Sequence, residues 1–417
     1  MKINQAYLQR CHECDNLVAI PDHIPHHAAC CPNCDEVLQK GNYWNLTQSA
    51  SIALAILILL PFALTFPLMS IDLLGVPIKA TVWDGVWKMA TSGFDVTAFM
   101  VLLCAVIMPF VFPVLVLLVA IQRILRHRPR YTLIFLKHAK QWVMLDVYFV
   151  ALMVAAFKVR DYAPLSFDKY LVAFVITTLL MTLLFIKLDL NRLWTQFYPE
   201  YHRVSPTEKN QNLALCPQCE YSFSENIIDE EGCRRCPRCE TNLSTPESIK
   251  LQRVWATLIA GTIMMFPANL LPISSTELAG AVSQDSLMSG VMTFIGMGSY
   301  AVAAIVFIAS IAVPFSKVAI IFYLLLAIHY RWAHNIHWQM KLLHYVHFVG
   351  RWSMLDLFVL ALMMSLVERG QIISFSVGEA AFYFGAAVFL TMISSSNLDA
   401  KMLWQIHREK SQADQRP

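Results

Sequence analysis

The chain repeats itself at a displacement of 205 residues, and this repeat limits its architecture more than any other feature. Cys11-His-Glu-Cys14 and Cys31-Pro-Asn-Cys34 are separated by sixteen residues. So are Cys216-Pro-Gln-Cys219 and Cys236-Pro-Arg-Cys239. Both units read C-x2-C-x16-C-x2-C, and the displacement continues beyond them: Pro67 matches Pro272, Gly75 matches Gly280, Gly85 matches Gly290 and Pro109 matches Pro314. Further on it becomes 210, where Trp142-Val-Met-Leu-Asp146 matches Trp352-Ser-Met-Leu-Asp356. Leu188-Asp189 and Leu193-Trp194 match Leu398-Asp399 and Leu403-Trp404 at the same offset. A period this long makes each repeat a folding unit in its own right.

Between the cysteine units the sequence is apolar. Hydrophobic residues make up 57% and charged residues 15% of the 417 positions, where a soluble chain would hold about a quarter charged. Apolar segments lie near 48–67, 97–120, 141–158 and 170–187, and again near 254–272, 300–328, 346–367 and 377–395. Each is close to the roughly 20 residues that cross a bilayer as a helix. The expected fold is an all-α polytopic membrane protein of two parallel repeats of four transmembrane helices. A small β zinc ribbon precedes each repeat. The expected divisions are ribbon 1 at 1–45, bundle 1 at 46–190, a linker with ribbon 2 at 191–250, bundle 2 at 251–404 and a disordered tail at 405–417. The first 45 residues are polar and hold five cysteines, unlike a signal peptide.

Loop charge orients the bundles. Residues 121–140 carry Arg123, Arg126, Arg128, Arg130, Lys137 and Lys140 with no acid, whereas 273–298 carry Glu277 and Asp285 with no base. Basic short loops stay cytosolic, so both ribbons and both termini are expected in the cytosol.

Two CxxC knuckles can place four thiolates around one tetrahedral Zn²⁺. The expected ligands are Cys11, Cys14, Cys31 and Cys34 for one ion, and Cys216, Cys219, Cys236 and Cys239 for a second. Thioredoxin-like chemistry would need a βαβ context that the sequence lacks. Four cysteines leave no open position, so the ions read as structural. Cys30 and Cys233 fall outside the pattern, Cys104 reads as a core residue, and His12, His23, His26 and His27 are alternative ligands absent from the second ribbon. His329, His334, His337, His344 and His347, with Trp332 and Trp338, read as an interfacial segment rather than a metal site.

An ionisable residue in a membrane helix is costly and marks a candidate working position. Asp146 and Asp356 occupy matched sites, and Lys317 lies about eleven residues from the cytosolic end of its span. Across the repeat, Lys317 faces Phe112 in the alignment, Ser310 Ala105, Ser353 Val143 and Thr391 Met181. The second bundle is therefore expected to hold the centre of a polar network, Lys317, Asp356, Ser310, Thr391 and Ser353, with Lys317 meeting Asp356 across neighbouring helices; Asp146 of the first bundle is the network's matched carboxylate, near the cytosolic face. A purely structural ion pair is the competing reading. Pro61, Pro67, Pro109, Pro113, Pro267, Pro272 and Pro314 should break or kink spans. Glycine is scarce and no GxxxxGK[ST] motif occurs, which leaves no ATPase machinery and no enzyme signature. The net charge of +3 gives no reason to expect a nucleic-acid partner.

Phe266–Ile273 (FPANLLPI), Val313–Lys317 (VPFSK), Gly350–Val359 (GRWSMLDLFV), Ala380–Val388 (AAFYFGAAV) and the CPxC pairs at 216 and 236 resemble the PqiA/LetA family of paraquat-inducible A proteins, on its LetA side. CHEC at 11–14 replaces the family's usual CPxC but keeps both ligand positions. The resemblance implies an inner-membrane protein that works beside a periplasm-spanning MCE-domain tunnel protein and moves phospholipid between membranes. A non-transporting adaptor for that partner is the alternative. A redox membrane protein is a weaker third.

Overall fold

The computed structural model describes all residues except 1–5, 22–26, 42, 74–75, 161–164, 202–212, 225–234, 244–245, 279–280, 297, 299, 333–334, 366–372 and 415–417. Cys233, His23, His26 and His334 lie outside the described residues.

The chain opens with two short antiparallel hairpins, β1 (Ala6–Arg10) with β2 (Leu17–Pro21) and β3 (Ala29–Cys30) with β4 (Val37–Gln39). Helix α1 (Leu46–Thr65) follows, then β5 (Met69–Leu73), β6 (Val76–Ala80), α2 (Val82–Thr91) and α3 (Asp95–Leu102). A π-helical turn at Leu103–Ile107 leads into α4 (Met108–Ile124). Next come α5 (Arg130–Trp142), α6 (Leu145–Arg160), β7 (Leu165–Phe167), α7 (Tyr170–Lys187) and α8 (Leu190–Phe197).

The order then recurs. After β8 (Leu213–Leu215) and β9 (Ser222–Ser224) come α9 (Glu247–Leu270), β10 (Ser274–Leu278), β11 (Ala281–Asp285), α10 (Leu287–Gly296) and α11 (Tyr300–Phe307). A second π-helical turn, Ile308–Ala312, precedes α12 (Val313–His329). The chain closes with α13 (Ile336–Gly350), a 3₁₀ turn at Trp352–Met354, α14 (Leu355–Ser365), β12 (Ile373–Val377), α15 (Ala380–Asn397) and α16 (Ala400–Asp414).

Seven helical stretches among the described residues are long and apolar enough to cross a membrane. They include the joined segments Asp95–Ile124, Arg130–Phe157 and Ile336–Ser365. Helix α9 fills the place in the order that α1 holds. Pro67 and Pro272 lie just beyond the ends of α1 and α9, whereas Pro61, Pro113 and Pro267 sit inside α1, α4 and α9 without ending them. Pro109 and Pro314 each follow a π-helical turn, because a residue without an N–H cannot complete the regular ladder and an inserted residue absorbs the defect.

The structure departs from an all-helical membrane part. Strands β6-β5-β7 and β11-β10-β12 form two three-stranded antiparallel sheets beyond the span ends. Their hairpins pair Leu73 with Val76 and Leu278 with Ala281. The short third strand of each sheet comes from the loop before α7 or α15. The polar tail expected to be disordered from 405 is helical as far as Asp414. The histidine-rich loop is largely helix α13, which runs on into the next span.

The amino-terminal ribbon touches the bundle that follows it at Lys40, which donates to Ile186 O, but packs its core on the other half. Its Tyr7, Ile20 and Leu38 share a core with Val254, Ile321, Leu343 and Trp404 of the second half. The second ribbon joins the first half instead, with Phe223 in one core with Leu136, Leu193 and Trp194 and Arg238 over the Trp194 ring. The two ribbons meet each other where Arg10 N donates to Ser222 Oγ (3.0 Å).

Candidate functional site: two cysteine clusters and a buried amine

Each CxxC pair folds into the same knuckle. The N–H of the residue after the second cysteine donates back to the first cysteine's carbonyl at 2.8–3.0 Å: Asp15 to Cys11, Asp35 to Cys31, Glu220 to Cys216 and Glu240 to Cys236. That tight turn requires left-handed backbone at all four positions, with φ of 55, 59, 56 and 58°. No glycine stands there, so each turn carries a small steric cost that its ligands must offset.

The knuckles face each other in pairs. Sγ–Sγ distances are 3.5 Å for Cys11–Cys34 and for Cys14–Cys31, 3.4 Å for Cys216–Cys239 and 3.6 Å for Cys219–Cys236. All four sulfurs of each cluster lie within 4.8 Å of one another, and seven of the eight cysteines are buried. These are two clusters able to hold a metal ion. Their thiols are electrostatically uneven: the hydrogen bond from Cys11 pulls Cys14 down to about 4, while burial pushes Cys34 up to about 12. Cys30 is exposed and outside the cluster.

Polar contacts fix each ribbon to its bundle. Lys137 Nζ donates to Pro217 O (2.9 Å), Gln218 O (3.1 Å) and Glu220 Oε1 (3.1 Å), and Asn191 Nδ2 donates to Glu220 Oε2 (2.6 Å). Burial opposes ionisation of Glu220, but Lys137 and Asn191 outweigh it and hold the carboxyl below its ordinary value. On the other side Lys401 faces Asp15 (3.8 Å) and Arg408 Nη2 donates to Cys14 O (2.9 Å). Lys401 and Asp15 are the repeat counterparts of Asn191 and Glu220.

Within the second bundle the structure buries most of the expected polar set. Lys317 is 0% exposed, Ser310 1%, Ser353 2%, Thr391 5% and Asp356 9%. Among the described residues, the Nζ of Lys317 and the Oγ atoms of Ser310 and Ser353 have no hydrogen-bond partner. The π-helical turn carrying Ser310 packs against α14 and the turn carrying Ser353. Thr391 is differently placed, since its hydroxyl donates to Val388 O (3.0 Å) and its methyl packs against Gly261 of α9.

Lys317 does not meet Asp356. Its amine instead faces Gly350, where an added β-carbon would sit 3.5 Å from Nζ and 3.9 Å from Ser395 Oγ. Gly350 precedes Asp356 by six residues, roughly 9 Å along a helix, so the two charges stand at different depths. Asp146 is exposed at the start of α6 and stands apart from this buried group. Gly350, Ser394 and Ser395 were not singled out from the sequence. Ser394 Oγ donates to Val254 O (3.3 Å), tying α15 to α9. The signal for Gly350 lay within the GRWSMLD run, where a small residue beside a membrane lysine leaves room for it.

The first bundle handles the corresponding place in another way. Phe112 stands where the second half has Lys317, and Lys140 where it has Gly350. Lys140 Nζ donates to Phe185 O (3.1 Å), and Phe185 corresponds to Ser395. A cation therefore reaches this region in both halves, but from different helices. Among the described residues, the cation of the second half lacks a hydrogen-bond acceptor and that of the first does not.

The histidines have ordinary partners: His347 lies 2.9 Å from Ser395 O, His344 faces Glu36 (3.6 Å), and His337 packs against Trp404. Among the described residues, metal-capable groups occur only at the two cysteine clusters.

Comparison with known proteins supplies the context. A probable intermembrane transport protein of Haemophilus influenzae is 54% identical over 405 residues, covering 96% of this chain and 97% of its own. Lipophilic envelope-spanning tunnel protein A of Escherichia coli K12 is 41% identical over 399 residues, covering 96% and 91%. The intermembrane transport protein PqiA of Escherichia coli K12 is 28% identical over 408 residues, covering 94% of each. No solved structure matches. The model of the paraquat-inducible protein A family matches twice, over residues 46–198 and 251–408, and the chain belongs to that family.

Proposed function

We propose that this protein is the inner-membrane subunit of a lipid transport system, one that moves phospholipid toward a periplasm-spanning tunnel partner. The observation that carries the reading is the amine of Lys317, wholly buried in apolar helices with no hydrogen-bond acceptor among the described residues. An uncompensated ammonium at that depth is expensive. It is best explained by an acceptor supplied from outside the chain, and a phosphate oxygen satisfies it through a charge-assisted bond. The names of the relatives support transport between membranes. The amine is sealed here, so a lipid reaches it only when the bundle opens. The π-helical turn at Ile308–Ala312, with Pro314 after it, supplies a hinge.

In this reading the two halves are parallel repeats of four spans each, with α9 as the eighth. Both ribbons and both termini face the cytosol. Each cysteine cluster holds one structural Zn²⁺. A Zn–S bond of ~2.3 Å puts tetrahedral sulfurs roughly 3.8 Å apart, close to the observed separations. Zinc would cross-link the two knuckles of a ribbon. No reaction is assigned to it.

Substituting Lys317→Met keeps the length of the side chain and removes the charge. Expected is a stably inserted protein with lipid transfer lowered at least tenfold, the scale of about 1.4 kcal/mol or more for a charge-assisted bond. A photoreactive residue at 317 should capture labelled phospholipid in the complete complex. The sealed state of the amine also favours a second reading, a non-transporting anchor for the partner. Full transfer by Lys317→Met, with no lipid adduct at 317, would establish the anchor instead.

A further inference from the structure

The two halves grip each other unevenly about the seam where α14 packs on α6. Helix α2 of the first half lies directly on α14 of the second. A β-carbon at Gly85 would come 2.4 Å from Ala361 O, which means backbone meets backbone there. Ser365 Oγ donates to Thr81 O and accepts from Thr81 N, both at 3.1 Å, and Lys88 Nζ donates to Ser365 O (3.1 Å). On the same side Thr97 of α3 packs against Gly385 of α15. The reciprocal contact would lay α10 on α6. Among the described residues it is not made, although α11 touches α6: a β-carbon at Gly290, the counterpart of Gly85, meets nothing within 4 Å.

One face of α6 is left uncovered as a result. Asp146 is exposed, Met153 is 37% exposed and Phe157 45%. Positions 146, 153 and 157 fall on a single helical stripe, with Val150 half-buried between them. The counterparts on α14 are covered: Asp356 is 9% exposed and Leu360 7%. The span of α5 and α6 runs from Arg130 to Phe157. Lys137 of α5 already grips the ribbon and the helix breaks at Val143-Met144, so Asp146, in the first turn of α6, stands near the ribbon-side end of the span, at headgroup depth, with Met153 and Phe157 further into the bilayer. Acyl chains can cover Met153 and Phe157. They cannot satisfy a carboxylate, which at this depth takes a donor from the headgroup layer.

We infer that this face of α6 is a lateral lipid-binding groove. Its occupant is a phospholipid whose headgroup carries N–H donors, with an ammonium on Asp146 and a chain along Met153 and Phe157. The inference rests on the lipid-handling reading above. It adds a second, laterally open position in the first half, distinct from the sealed amine of Lys317. An ethanolamine headgroup fits, whereas a choline headgroup, lacking N–H, does not.

The test uses the full-length protein with a photoreactive residue at Met153, reconstituted in nanodiscs of phosphatidylethanolamine or phosphatidylcholine and then solubilised before irradiation. A control places the same probe at Leu54, an exposed position on α1. Expected is a lipid adduct at 153 that survives solubilisation with phosphatidylethanolamine. It should fall about fivefold or more with phosphatidylcholine, and likewise with Asp146→Leu, as for loss of one hydrogen bond in lipid. At Leu54 adducts should vanish on solubilisation in both lipids. Equal retention at 153 and 54, indifference to the headgroup, or a protein adduct at 153 in the complete complex would overturn the inference. Because no transport is measured, these outcomes leave the case for Lys317 standing or falling on its own test.

Discussion

Gly85 and Gly290 occupy matched positions and have opposite surroundings, which makes them a sensitive probe of how the halves differ. At Gly85 even a methyl group would strike the carbonyl of Ala361, so Gly85→Ala should separate α2 from α14. Overpacking of this kind costs about 1–3 kcal/mol, and the melting temperature of the detergent-solubilised protein should fall. At Gly290 a methyl meets nothing, and Gly290→Ala within helix α10 should gain about 0.5–1 kcal/mol by restricting the unfolded chain. Shifts of the same sign in the two variants would refute the uneven grip. Sequence alone could not have distinguished them, because both read as a lone glycine in an apolar run. Lys317 was legible for the reverse reason, since a charge in such a run needs no structure to stand out. Its true neighbours, Gly350 and Ser395, carry no charge and left no such signal.

The elements divide by how locally they are determined. The knuckles were legible because CxxC with an x16 spacer specifies its own geometry, and all four adopt it. Spans were legible by length and hydropathy. The small sheets were not, because each needs a third strand from nearly a hundred residues away, Leu165 pairing with Ile71 and Ile373 with Leu278. The break between α5 and α6 also escaped notice, as Val143-Met144 resembles the rest of its span. Metal should matter most at the ribbon, where two short hairpins have little core of their own. Removing it with a chelator is expected to unfold ribbon 1, since structural zinc typically supplies about 10–16 kcal/mol of folding energy. Hydrogen exchange should then rise in α16, whose Trp404 and Leu403 the ribbon helps cover. Unchanged exchange there after verified metal loss would mean that the ribbon folds and docks without an ion.

Across the whole molecule, the crosswise placement of the ribbons makes the halves interdependent. Bundle 2 lies under a ribbon made at the opposite end of the chain. Tyr7, Ile20 and Leu38 cover Ile321, Leu343 and Trp404, and Arg408 and Lys401 grip the knuckle at Cys14 and Asp15. Bundle 1 is covered by the ribbon that follows it, through Lys137, Asn191 and the ion pair of Arg130 with Glu240. A fragment of residues 1–245 therefore keeps the ribbon of its own bundle, whereas 246–417 loses its cover and exposes apolar surface on α12, α13 and α16. Expressed alone, the first fragment should accumulate and the second should be degraded. Co-expression should restore the second, and the rescue should require Cys11, Cys14, Cys31 and Cys34 in the first. Accumulation of 246–417 alone to the level seen with its partner would show that the ribbon merely rests on the second bundle. Dependence on the distant cysteines would instead make the amino-terminal ribbon a clasp, completing the bundle that carries Lys317 only once both halves have been made.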